Sequence, residues 1–194
     1  MGKRLLLKAL LNIWKYPFFL IILKKIKTPE YVYADVKRIL KKDCSKFEIF
    51  VTLLTDSNFV SIFQYRAGSD KLAGRFANAL FRGNPNIEIY CGSIGPGFKI
   101  NHKFGAVILA RELGSNVTIC QGVTVGKGGG ISAVNDDDEI PSIGSNVLIG
   151  ANALVLGRIS IGDISSVGAG AVVTKDVPED TVVVGNPAHP LIKK

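Results

Sequence analysis

Aliphatic residues recur at every sixth position through the second half of the chain. From Ile143 the units read I-G-S-N-V-L, I-G-A-N-A-L, V-L-G-R-I-S, I-G-D-I-S-S and V-G-A-G-A-V, so that Ile143, Ile149, Val155, Ile161 and Val167 lead successive units. Upstream the frame holds at Val107, Leu113, Ile119 and Val125, and earlier still at Ile94 and Ile100. A period of six matches neither a 3.6-residue helix nor a two-residue strand alternation. It matches a coil with flat sides, in which each unit makes one side and a turn. The leading aliphatic residue points inward, and the fifth position (Val117, Val123, Val147, Ala153, Ile159) shares the interior. The second position is small or polar and is read as the bend, where glycine tolerates positive φ. Three sides close a triangular rung, and stacked rungs bury one narrow core together.

The frame has two interruptions. Between Ile100 and Val107 it slips by one residue, just after His102, which predicts a bulge that re-aims side chains. After Val125 comes a Gly-rich and then acidic segment, residues 126–142, before the repeat resumes at Ile143. Insertions in repeats leave the coil as loops on one face. The acidic run from Asp136 to Glu139 reads as a solvated loop tip rather than a metal site.

The first part of the chain follows other patterns. Residues 3–27 form an apolar, aromatic-bearing stretch fenced by lysines, and Pro17 is expected to break or kink any helix there. Its longest uncharged run, Tyr16 to Leu23, is far short of a membrane span. Two readings are open for this stretch: contact with an anionic membrane surface, or packing within the protein's own assembly. Thr28 and Pro29 predict a helix start, with Val32, Val36, Ile39 and Leu40 at helical spacing. Residues 47–54 and 59–65 are apolar, and their β-branched and aromatic content favours strand when taken alone. Residues 70–81 predict a helix with Leu72, Phe76, Ala79 and Leu80 on one face.

Composition narrows the picture. At 194 residues the chain is long enough to bury a core. The net charge of +8 is concentrated: residues 1–46 hold 12 basic and 3 acidic residues, and the remainder is close to neutral. The coil therefore offers no basic stripe, which argues against nucleic acid as a partner. Three widely spaced cysteines fit a reducing, cytoplasmic setting. Two histidines, His102 and His189, exclude a histidine-rich metal site.

The repeat from about Glu88 to Ile192, with the K-D-V-P turn at Lys175 and the G-N-P-A run at Gly185, resembles the hexapeptide-repeat acyltransferases. The branch it most resembles contains the serine acetyltransferases and the acetyltransferases of capsular polysaccharides. The resemblance implies a mostly β protein, a left-handed parallel β-helix with an α-helical N-terminal segment. On that reading residues 1–86 are helical, including 47–54 and 59–65, residues 87–182 form the coil, and 183–194 form a closing tail. It also implies a homotrimer with sites between subunits, and acetyl-CoA as acyl donor with no metal.

Within the resemblance, N-H-K-F-G-A-V-I matches the stretch that carries the family's catalytic base, which places that role on His102. The residue chemistry agrees, because a hydroxyl nucleophile needs a base titrating near neutrality and a thioester needs no metal. Glu88 matches the carboxylate that orients the base, with a one-residue gap. Asn101, Lys103 and Gln121 are expected beside the acceptor. Gly126, Lys127, Gly150, Ala151, Ala169, Gly170 and Lys175 are expected beside the donor, with Lys175 near its phosphates.

Two departures bear on the acceptor. Asn101 stands where the serine enzymes carry an acidic residue, and Glu139-Ile140-Pro141 stands where they carry an arginine and a second histidine. The expectation is therefore a saccharide hydroxyl of a surface polysaccharide or its precursor. Serine O-acetylation is the alternative, and a non-catalytic trimeric scaffold a further one.

Overall fold

The computed structural model describes residues 3–68, 71–128 and 139–191. The chain divides into two compact units, 1–84 and 85–194.

The first unit is helical. Helix α1 (Lys3–Leu11) and α2 (Tyr16–Lys25) are joined by a 3-10 turn, Ile13–Lys15, and bend by 53°. Pro17 lies in the first turn of α2, where its missing N–H costs nothing, so it starts a helix rather than interrupting one. Helix α3 (Pro29–Leu40) begins where expected, although the Thr28 side chain makes no capping bond. Helix α4 (Lys46–Thr55) and α5 (Ser57–Ala67) are formed from the two strand-favouring runs. Caps decide this outcome. Ser45 and Glu48 form a reciprocal capping box on α4, and Asp56 Oδ1 accepts from the N–H groups of Asn58 and Phe59 to start α5. Their aromatic residues then meet in one cluster, with Phe50 against Tyr16, Phe19 and Phe81 at centroid separations of 5.2, 5.9 and 6.2 Å.

Helix α6 (Leu72–Leu80) forms, but not with the expected face inward. Leu72 is 71% exposed and Phe76 is also exposed, whereas Gly74, Ala77 and the following Phe81 are buried. The small residues allow α6 to lie close against α5, and that closeness outweighs the larger side chains on the other face. One ion pair is enclosed in this unit. Arg66 donates from Nε to Asp35 Oδ2 at 3.1 Å and from Nη2 to Oδ1 at 3.2 Å, with both side chains almost fully buried.

The second unit is a parallel β-solenoid of three sides. Side one stacks Ile94, Leu113, Ile143 and Ile161 from β1 (Ile87–Ile94), β3 (Ala106–Leu113), β6 (Ser142–Ile143) and β9 (Ser160–Ile161). Side two stacks Ile100, Ile119, Ile149, Val167 and Val183 from β2 (Lys99–Ile100), β4 (Thr118–Ile119), β7 (Leu148–Ile149), β10 (Ser166–Val167) and β12 (Val182–Val184). Side three stacks Ile89, Ile108, Val125, Val155 and Val173, using β1, β3, β5 (Thr124–Gly126), β8 (Leu154–Leu156) and β11 (Val172–Val173). The tail adds β12 and an antiparallel β13 (His189–Pro190) to side two, and Val177 bridges Ile161.

Fifth-position residues Val117, Val123, Val147, Ala153 and Ile159 are buried as expected. Ser165 fills the same place in its unit, and its Oγ donates to Pro178 O at 2.7 Å.

The turn chemistry differs from the expectation. Positive φ falls at the fourth position of the units, at Gly97, Asn116, Gly122, Asn146, Asn152, Ile164 and Gly170. The second position needs glycine for another reason, which is the closeness of the next rung. A Cβ on Gly114 would lie 2.6 Å from Ser145 N, and one on Gly162 2.4 Å from Glu179 N.

The frame also differs at one place. Val107 was expected inward, yet it is 40% exposed, and its neighbours Ala106 and Ile108 fill the interior. Residues 102–105 occupy the corner that Gln121–Gly122 make in the following rung, two residues more. Strand β3 then runs unbroken from side three to side one and takes one residue fewer from Ile108 to Leu113 than the regular unit. The one-residue slip is the sum of a wide corner and a short one.

Candidate active site

The wide corner carries His102. Asn101 enters it by donating its N–H to Ile119 O at 2.8 Å, and Gly105 leaves it by accepting from Gly122 N at 2.8 Å. Between these two anchors His102 takes φ 63, a conformation that non-glycine residues adopt rarely and at a cost. His102, Lys103 and Phe104 face solvent, and Phe104, at 82% exposure, is the fifth-position residue that the wide corner has thrown outward. Gly105 is the residue that permits this shape: its φ is 97, and a Cβ there would lie 2.5 Å from Asn86 O.

Gln121 sits in the arc directly stacked on this corner, since Gly122 N binds Gly105 O on one rung and Asn152 N binds Gln121 O on the next at 2.9 Å. Gln121 Oε1 is buried and has no hydrogen-bond partner among the described residues. This oxygen is therefore an acceptor that the described residues leave open, one rung from the corner that carries His102. Ala151 continues the same corner column, its carbonyl accepting from Gly170 N at 2.8 Å, and Ala169 lies in the following turn. His102, Gln121, Ala151 and Ala169 thus share one edge of the solenoid.

The glycines expected beside a donor fall into two kinds. Among the described residues, a Cβ at Gly126 or Gly170 would meet nothing within 4 Å; Gly170 is exposed and leaves open surface, whereas Gly126 is buried. A Cβ at Gly150 would meet Ala169 N at 2.6 Å, and Gly150 N donates to Val167 O at 2.8 Å. The coil itself requires Gly150.

Other expected site residues lie apart from this edge. Glu88 points outward on β1 and pairs in register with Val107, on side three rather than in the corner. Its side chain makes no hydrogen bond or ion pair to another described residue. Gly126 and Lys127 lie at the opposite edge of side three, where the 126–142 segment leaves the coil. Most of that segment, including Asp136 to Asp138 of the acidic run, lies outside the described residues; it rejoins the coil where Pro141 O accepts from Arg111 N at 2.8 Å. Lys175 lines a cavity of about 550 Å³ at the end of the coil, together with Asp176, Asn186 and His189. Among the described residues no three His, Cys, Asp or Glu side chains come together as a metal site. Burial pushes the Cys91 thiol up to about 11, so it carries no thiolate at neutral pH.

Sequence reasoning missed two features of the site. Phe104 follows the repeat as an interior residue, and only the added corner length expels it. The open Gln121 Oε1 has no signal in the sequence, because its lack of a partner depends on the rungs either side of it.

The family model described as bacterial transferase hexapeptide (six repeats) matches residues 141–175. A serine acetyltransferase of Bacillus subtilis (strain 168) is 34% identical over 167 residues, which is 82% of this chain and 75% of that protein. The structure of Neisseria gonorrhoeae serine acetyltransferase in complex with serine superposes with a TM-score of 0.65 at 32% identity, covering 91% of this chain and 74% of the other. A second structure of serine acetyltransferase from the same organism gives 0.63 at 33% identity; there the match covers 84% of this chain and 64% of the other. These relatives overturn the expectation of a saccharide acceptor. That expectation rested on a few altered side chains near the acceptor, whereas the similarity runs through the helical unit and the solenoid alike. The chain belongs to the serine acetyltransferase family.

Proposed function

We propose that the protein is an acetyl-CoA-dependent serine O-acetyltransferase, acting in cysteine biosynthesis in the cytoplasm. The observation that carries this reading is the single imidazole held at positive φ on a widened corner of a solenoid whose sequence is 34% identical to a serine acetyltransferase. His102 takes the proton from the serine hydroxyl as its oxygen attacks the thioester carbonyl. The tetrahedral oxyanion collapses, the C–S bond breaks, and the proton passes from His102 to the departing CoA sulfur. The products are O-acetylserine and free CoA.

Asn101, Lys103 and Gln121 border the acceptor. The open Gln121 Oε1 accepts from the ammonium group of the amino acid, a donor that the buried oxygen lacks within the chain. The donor's arm follows the corner column past Ala151, Ala169 and Gly170, where an open surface leaves it room. Glu88 lies exposed on the adjoining flat side, apart from the corner, and is left out of this mechanism. One flat side cannot enclose a substrate, so the second wall comes from another copy of the coil in a homotrimer.

The test is thiol release from acetyl-CoA by the purified protein with L-serine. O-acetylserine and free thiol in equal amounts are expected. CoA binding without turnover of L-serine would overturn the reading in favour of a non-catalytic role.

A further inference from the structure

The helical unit carries two features that the acetyl transfer leaves unused. The first is an apolar surface. Leu6, Leu7, Leu10 and Leu11 are all exposed and recur at the spacing of one helical face on α1, while Ala9 opposite is buried. The surface continues through Trp14, at 58% exposure, to Phe18 and Ile21 on α2. Its charge is of one sign. Residues 1–27 contain seven Lys/Arg and no Asp/Glu. Arg4 and Lys8 lie along the edge of the α1 face, and Lys24 and Lys25 close the exposed side of α2.

The second feature is a cavity of about 420 Å³ walled by Tyr16, Leu20, Leu23 and Pro29. That is within the roughly 300–1,000 Å³ of small-ligand sites. Lys24 and Lys46 are its charged lining, both are exposed, and neither forms an ion pair among the described residues.

Charge decides what covers this surface. A second copy would bring the same cations to the contact and no carboxylate from residues 1–27 to meet them. An anionic bilayer supplies both an apolar layer for the leucines and phosphates for the lysines. Neither helix alone is long enough to cross a membrane, since nine and ten residues rise about 14 and 15 Å at ~1.5 Å each, about half of a hydrocarbon core, and the two are bent by 53° at their junction. We propose that α1 and α2 lie on the surface of an anionic phospholipid bilayer, and that the adjoining cavity seats one acyl chain with its phosphate between Lys24 and Lys46. This inference is independent of the acceptor assigned to the solenoid.

Trp14 is the chain's one tryptophan, so its emission reports the docking directly. The full-length protein is mixed with phosphatidylglycerol-rich vesicles and, separately, with phosphatidylcholine vesicles, at low and high salt. Expected are a blue shift of Trp14 and co-sedimentation with the anionic vesicles only, weakened by salt. The variants L10S/L11S and K24E/K46E each lower partitioning at least about tenfold. The circular-dichroism melt of L10S/L11S stays at the wild-type midpoint, which separates lost docking from lost folding. Absence of binding to anionic vesicles at low salt, or equal binding to both vesicle types, overturns the proposal. So does a concentration-dependent self-association that L10S/L11S abolishes, because a second copy then covers the face.

Discussion

The N–H of Gly122 donates to the carbonyl of Gly105 at 2.8 Å, and this bond fastens the far end of the arc that holds His102. Gly105 can close the arc because it has no side chain to collide with Asn86 O, which a Cβ would approach to 2.5 Å, and because its φ of 97 is open to glycine. Gly105→Ala is expected to lose about 1–3 kcal/mol of stability and to lower kcat, as the imidazole shifts with the arc. Chemical denaturation and steady-state kinetics check the two effects.

For the proposed base the informative substitution is His102→Asn, because asparagine tolerates the left-handed backbone that His102 occupies at φ 63. Folding should be preserved, and kcat with L-serine should fall by roughly 10²–10⁴. Wild-type thiol release by this variant would remove His102 from the mechanism.

The enclosed Arg66–Asp35 pair predicts a large stability effect within the helical unit. Removing one partner leaves the other charged and desolvated, so Asp35→Ala should cost about 3–5 kcal/mol. Urea unfolding of the variant measures this loss.

Glu48 makes the stability of the helical unit sensitive to acid. The Lys42 ammonium and then the Ser45 cap hold its carboxyl at about 2, below the ordinary value of 4.5. A depressed carboxylate stabilises the fold above its unfolded pKa and loses that contribution as pH falls through the folded value. Wild-type stability should therefore fall more steeply than that of Glu48→Gln between pH 4.5 and 2. Parallel profiles in circular dichroism melts would contradict this.

Ile164 is a β-branched residue at φ 62, in the corner column where Asn116 Nδ2 donates to Asn146 Oδ1 at 3.2 Å. Ile164→Asn should raise stability by about 1 kcal/mol, because asparagine relieves the backbone conflict and the isoleucine side chain is 62% exposed. An unchanged or lowered denaturation midpoint would show that the isoleucine serves a contact outside the single chain.

The solenoid was legible from the first residues of its units. An inward aliphatic at every sixth position is a local, one-dimensional signal, and stacking can only reinforce it, so Ile143, Ile149, Val155 and Ile161 are buried where the repeat places them. His102 was legible for the same reason, as a histidine beside a break in that frame. The caps that make α4 and α5 helical were also written locally, in Ser45, Glu48 and Asp56, and they outweigh the strand preference of the runs between them. What remained for the tertiary structure was every property that depends on which rung or helix lies opposite. Val107 faces out because hydrogen bonds between rungs set the true register of β3, adding residues at one corner and removing one at the next. Gly114 is glycine because Ser145 lies against it, a neighbour that only the closed coil supplies. Gly74 and Ala77, not Leu72 and Phe76, face inward because α5 admits a close helix at that place. Glu88 and His102 share a neighbourhood in the chain's repeat, but rung stacking puts one on a flat side and the other in a corner.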